Sequence, residues 1–209
     1  MPNRAVNEEN RKDTYKSING IAEGFYREKG SRFLSFASPA ATTEQAEQFI
    51  LHLRGKYHDA RHHCFAWVIG ATGSEVRYSD AGEPSGTAGK PILSQIQHFD
   101  LRDIVVVVVR YFGGILLGTG GLSRAYREAA RNCLQNATVI SKMVGHELTI
   151  TFPYNTEGML NRLFQEERIS VIGKEFSHQC TYKIMVPKSR MEEFLLRIRQ
   201  MKDIEVSQE

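Results

Sequence analysis

The sequence predicts an α+β protein of two domains, residues 1–140 and 145–209. Three observations carry that expectation. A β-branched run, Ile104 to Val109, is followed by a glycine-rich segment and then by an amphipathic stretch. The pattern resets across Thr138–Gly145. Beyond the reset, strand and helix periods succeed one another in the order βαββαβ, and 209 residues are enough for two small domains.

The valine run is too apolar for an edge strand and reads as a central strand covered on both faces. It leaves through Gly113, Gly114, Gly118, Gly120 and Gly121, which imply backbone angles or close approaches that a β-carbon forbids. The helix expected from Leu122 puts Leu122, Ala125, Tyr126, Ala129, Ala130, Cys133 and Leu134 on one face.

Ahead of this centre, residues 1 to about 13 are polar and expected to fray. Tyr15–Phe36 is strand-like but interrupted by Gly20, Gly24 and Gly30, and Ser31–Ala40 is its clearest strand. Thr42 and Gln45 fit a capping box for an amphipathic helix over 43–57. His63–Ile69 and Glu75–Ser79 read as a strand pair around a Gly70–Gly73 turn. A long irregular segment, Asp80 to Pro91, precedes a short helix over Pro91–His98.

After the reset, His146–Phe152 is a strand, and Asn155 is placed to cap a helix carrying Met159, Leu160, Leu163 and Phe164. Ile169–Phe176 and Gln179–Val186 form a hairpin. Ser189 and Glu192 suggest a second capping box, and Ile204–Val206 a last strand. This order is the split βαβ, ferredoxin-like arrangement, which hosts many unrelated functions.

Composition narrows the class. Residues 1–142 hold 18 basic and 14 acidic side chains, so a polyanion contact belongs to the first domain. Cys64, Cys133 and Cys180 are too few and scattered for a disulfide framework. The N-terminus has no apolar leader core and no stretch is long enough to span a membrane, which implies a cytoplasmic protein with no membrane partner.

Four polar groupings are candidates for chemistry. In Asp59–Cys64, His62 and Cys64 face one side of a strand, Arg61 and His63 the other. That half-cluster lacks the three or four convergent ligands of a metal centre, so neither metal nor cofactor is expected. The loop with Asp80, Glu83, Thr87 and Lys90 is not a P-loop, because Lys90 is followed by Pro91. Its carboxylates could serve acid–base chemistry or pair internally with Arg61 and Arg110, and the spacing leaves both open. Gly118, Gly120 and Gly121 fail the dinucleotide fingerprint, yet amides at a helix start could hold a phosphate oxygen. Arg124, Arg127 and Arg131 form one helical stripe, either a solvated face or a phosphate-backbone contact.

Three signatures in this order resemble the IMPACT family, in its two-domain bacterial branch. They are Asp59-Ala-Arg61-His62-His63-Cys64-x-Ala66-Trp67, then Ser79-Asp80-x-Gly82-Glu83-Pro84-x-Gly86-Thr87-Ala88-Gly89-Lys90-Pro91, then Val109-Arg110-Tyr111-Phe112-Gly113-Gly114-x-x-Leu117-Gly118-x-Gly120-Gly121-Leu122-x-x-Ala125-Tyr126. The resemblance implies an N-terminal ribosomal-protein S5 second-domain-like two-layer sandwich, with a mixed sheet and helices on one face. It also implies a C-terminal ferredoxin-like domain resembling one in the translocating elongation factor. Helices on one face conflict with the two-sided cover that the valine run implies by itself.

Eukaryotic relatives of this family regulate translation, partly through a further N-terminal domain not expected here. The leading expectation is therefore a non-enzymatic protein that binds RNA, the ribosome or a translation-associated protein, with Arg124, Arg127 and Arg131 as its contact face. The alternative is an enzyme or sensor for a phosphate-bearing or other anionic ligand. It would use Arg61, His63, Asp80, Glu83, Thr87, Lys90, Arg110, Gly118, Gly120 and Gly121 in one cleft of the N-terminal domain. The sequence assigns no catalytic residue and no oligomeric state.

Overall fold

The computed structural model describes residues 13–207. The expected frayed segment before Asp13, and the stretch searched for a leader, lie outside those residues. The chain divides into two compact units, one from Tyr15 to Lys142, the other from Met143 onward together with Asp13 and Thr14.

The first unit is built on a five-stranded antiparallel sheet in the order β2-β3-β6-β4-β5. Its strands are β2 (Ala22–Glu28), β3 (Ser31–Pro39), β4 (His62–Ile69), β5 (Glu75–Ser79) and the central β6 (Ile104–Tyr111). Alternation along β6 sends Ile104, Val106 and Val108 to one side and Val105, Val107 and Val109 to the other. On the latter side they meet Ala46, Ile50 and Leu53 of α1 (Thr43–Lys56). On the former they meet α2 (Gly89–His98) and α3 (Gly118–Gln135). All six side chains are fully buried, each contributing roughly 1.5–3 kcal/mol. Cover on both faces, as the valine run required, corrects the two-layer expectation. An apolar strand leaves neither face for water, so the unit has three layers, and its sheet is antiparallel, not mixed.

Local chemistry places each helix. The Thr42 hydroxyl accepts from the Gln45 amide at 3.3 Å, and the Gln45 side chain accepts from Ala41 N at 2.8 Å, so the reach-back of the capping box falls one residue early. The helix α3 begins at Gly118, a turn before the expected Leu122, and all seven of its anticipated apolar positions are buried. Gly24 does not break its strand. It sits inside β2, where a Cβ would lie 2.4 Å from Cys133 N, so its missing side chain lets β2 pack on α3. A ribbon of β1 (Thr14–Asn19) and β7 (Thr138–Met143) forms a separate two-stranded sheet, where a bare domain boundary was expected. Asp103 anchors it: its carboxylate accepts from the Tyr15 hydroxyl, from Gly70 N at 2.9 Å and from Lys142 Nζ at 3.3 Å.

The second unit has the expected element order. Strands β8 (Gly145–Phe152), β9 (Ser170–Phe176), β10 (Cys180–Pro187) and β11 (Glu205–Ser207) pair antiparallel as β11-β8-β10-β9. The helices α4 (Glu157–Glu166) and α5 (Met191–Arg199) bury Leu160, Leu163, Phe164, Phe194 and Ile198 against Ile150, Phe152, Tyr182 and Ile184. Neither anticipated cap forms. Asn155 lies in a 3₁₀ turn ahead of α4, and the Ser189 amide and hydroxyl both donate to the Asp13 carboxylate. A fixed acceptor from a distant segment has taken the place of the local box. No helix among the described residues is long and apolar enough to cross a membrane.

Candidate nucleic-acid interface

The signature motifs converge on a buried polar cluster under α2 and α3. Arg110 leaves the end of β6 on the α3 side and donates to Glu83 Oε1 at 2.6 Å, with its guanidinium also 3.4 Å from Ser31 Oγ. The Phe33 and Phe112 rings flank that guanidinium at 5.5 and 5.7 Å. Tyr126, on the buried face of α3, donates to the same Glu83 oxygen at 2.8 Å. The Cys64 thiol lies 3.3 Å from the Tyr126 hydroxyl and 3.0 Å from the Asp80 carbonyl. Burial pushes the Cys64 thiol and the Tyr126 phenol well above their ordinary pKa values, so both stay protonated.

Asp80 organises the loop between β5 and α2. Its carboxylate accepts from the amides of Gly86 (2.8 Å), Ala88 (2.9 Å) and Gly89 (2.8 Å). Burial alone would raise its pKa, but these donors outweigh that and hold it below the usual carboxylate value. The amides at the start of α2 are thus occupied by the protein's own anion. Thr87 turns its hydroxyl to the Pro84 carbonyl at 2.6 Å.

The other candidates lie apart. His63 is on the α1 side of the sheet, its Nε2 3.2 Å from the Tyr57 carbonyl, and burial lowers its pKa. Arg61 and Lys90 are exposed. The ten residues expected in one cleft are therefore split: Glu83 and Arg110 pair with each other, Asp80 and Thr87 hold a loop, and His63 is across the sheet. Among the described residues no group of three or more His, Cys, Asp or Glu side chains is arranged to hold a metal ion. Tyr126 and Ser31 are cluster members that the sequence reading missed. A tyrosine on a buried helix face signals itself, because its hydroxyl requires a partner there; Ser31 carries no comparable signal.

What α3 offers to solvent is basic. Arg124, Arg127 and Arg131 are exposed along it, opposite the buried stripe, with Arg131 3.6 Å from Glu128. The first turn contains no acidic residue and no side-chain cap. Gly118 and Gly120 have nothing within 4 Å of where a Cβ would stand; a φ of +69° accounts for Gly118, and no packing contact explains Gly120. Beside them Phe112, Ile115 and Leu116 are exposed.

These features define a two-unit α+β protein whose signature residues build an internal polar cluster beneath a basic helix. The family described as the Impact N-terminal domain matches residues 29–134. The chain is 36% identical over 172 residues to the IMPACT family member YigZ of Escherichia coli (strain K12), covering 81% of this chain and 84% of that protein. It is 32% identical over 164 residues to the IMPACT family member YvyE of Bacillus subtilis (strain 168), covering 78% and 76%. A solved structure described as a hypothetical protein superposes with a TM-score of 0.67 at 30% identity, covering 94% of this chain and 98% of the other. The chain belongs to the IMPACT family, and its extended likeness is to bacterial members.

Proposed function

We propose that the protein is a non-enzymatic, cytoplasmic binding protein that acts in translation by contacting RNA, on the ribosome or with a translation-associated partner. The observation that carries this reading is the exposed Arg124, Arg127 and Arg131 row on α3, whose opposite face is locked into the core. A row of guanidiniums on a rigid helix matches the spacing and charge of a phosphate backbone. The amides of Gly118, Thr119 and Gly120, ahead of the first intrahelical bond and without a side-chain cap, add donors at the positive end of the same helix.

The fold reading that accompanies this is an S5 second-domain-like first unit, modified by α1 on its second face, and a ferredoxin-like second unit. The β11-β8-β10-β9 order, with α4 and α5 buried in one common core, supports the latter. The small-ligand alternative in the motif cluster has less support, because Arg110 already holds Glu83 as its counter-charge and only its Nε is left without a partner among the described residues.

The test is co-sedimentation with ribosomes and their subunits across a salt series, with a variant carrying Arg124→Glu, Arg127→Glu and Arg131→Glu alongside. The expected result is saturable binding that weakens with salt, and a salt slope about 2 smaller in the variant, as about 0.7 per lost single-strand phosphate contact requires. Equal binding by both proteins removes the surface. No binding at about 50 mM salt removes the ribosome from the reading and leaves a protein partner.

A further inference from the structure

On the side of the sheet away from α3, helix α1 and strands β4 and β5 enclose a cleft of about 370 Å³. Phe65 and Trp67 of β4 line it, stacked with ring centroids 5.4 Å apart, and Leu51 stands over them, largely exposed. Trp67 is 1% exposed, and its indole Nε1 has no hydrogen-bond partner among the described residues. That N–H is closed off from solvent, so Trp67 serves the cleft as an apolar wall. The Arg77 guanidinium lies 5.2 Å over the Trp67 ring and reaches Glu47 Oε1 at 3.1 Å, bridging β5 to α1. Arg54 is the second cation of the lining, so two guanidiniums face one carboxylate.

A pocket of this size with apolar walls and surplus positive charge has the composition of a small-ligand site. We propose that the cleft binds a small organic anion with a ring-sized apolar body. The ring lies against Phe65 and Leu51, and Arg54 with Arg77 takes the negative charge. Glu47 is the internal competitor for Arg77, which the ligand displaces. Aromatic carboxylates and nucleoside monophosphates share this chemistry. The site is independent of the α3 arginines, from which the sheet separates it.

Trp67 is the only tryptophan, so its emission reports on the cleft directly. The full chain is titrated separately with phenylacetate and with adenosine 5′-monophosphate, and with adenosine and inorganic phosphate as controls. One of the two ring-bearing anions should shift or quench the emission saturably, and adenosine and phosphate alone should not. Arg54→Gln should weaken that binding about tenfold, the loss of one charge-assisted contact. Glu47→Gln should tighten it severalfold by releasing Arg77. Both positions are exposed, and circular dichroism verifies that the variants fold. The proposal is overturned by no saturable change with either anion up to about 10 mM, by an equal response to adenosine, or by variants that titrate like the parent.

Discussion

Arg110 Nη1 stands 2.6 Å from Glu83 Oε1 with both side chains almost wholly out of solvent, across 27 residues of sequence. Tyr126 shares the same carboxylate oxygen, so a strand end, a loop and a helix are tied at one atom. Two of the family's signature motifs thus meet inside the fold instead of at its surface. The arrangement explains how Tyr126 fixes α3 over the sheet and, through it, the outward aim of the arginine row.

Removing both members should therefore cost less than the two single removals added together. Glu83→Ala leaves a guanidinium buried without its counter-charge and should destabilise the protein by about 3–5 kcal/mol in urea unfolding. The pair Glu83→Ala with Arg110→Met should be less damaging than the sum of the two single changes. Additive single effects would show that the two residues are not coupled.

Two glycines of the same glycine-rich segment should respond with opposite signs. A Cβ at Gly113 would fall 1.9 Å from Gly30 C and 2.1 Å from Ser31 N, so Gly113→Ala should cost roughly 1–3 kcal/mol or more. Gly120 has no neighbour within 4 Å and sits in the first turns of α3, so Gly120→Ala should gain about 0.5–1 kcal/mol. Thermal melts of the two variants check this. If Gly120→Ala is the more stable protein yet sediments less with ribosomes, the glycine serves backbone approach by a phosphate.

Much of this architecture was legible because burial repeats with a fixed period. The valine run announced a strand covered twice, and the 3.6-residue period of α3 named its seven buried positions. Chemistry that depends on long-range pairing was not legible. Nothing local says that Asp80 will spend its carboxylate on the amides of Gly86, Ala88 and Gly89, or that Ser189 will serve Asp13 instead of its own helix. The glycine-rich segment read as a loop through Gly121 because propensity disfavours a helix there, while packing of Leu122 and Tyr126 carries the helix back to Gly118.

Asp80 should act as a stability group at the acid end of the pH range. Its folded pKa is depressed, so its contribution is fully present above the unfolded value of about 3.9 and is lost as pH falls through the folded value. At neutral pH, Asp80→Ala leaves the amides of half-buried Gly86 and buried Ala88 and Gly89 without their acceptor and should cost about 1–3 kcal/mol. Unfolding midpoints measured at neutral pH and near pH 3 should converge between parent and variant; a constant difference at both would place the loss elsewhere.

At the alkaline end the buried thiols should dominate. Burial pushes Cys133 up to about 12 and raises Cys64 well above its ordinary value, whereas the unfolded thiols titrate near about 8.5. For groups raised in the folded state, stability is fully present below the unfolded pKa and is lost as pH rises toward the folded one. By pH 10 each thiol should have removed about 2 kcal/mol, and above that the raised Tyr126 phenol adds to the loss. Urea midpoints should fall steeply between about pH 8.5 and 11. Cys64→Ser with Cys133→Ser should flatten that fall, and a thiol-reactive disulfide reagent should label none of the three buried cysteines of the parent at pH 8 until the chain opens. Rapid labelling of Cys64 in the folded protein would mean that the thiol is reached from solvent, and that the cluster joining Glu83, Arg110 and Tyr126 opens without global unfolding.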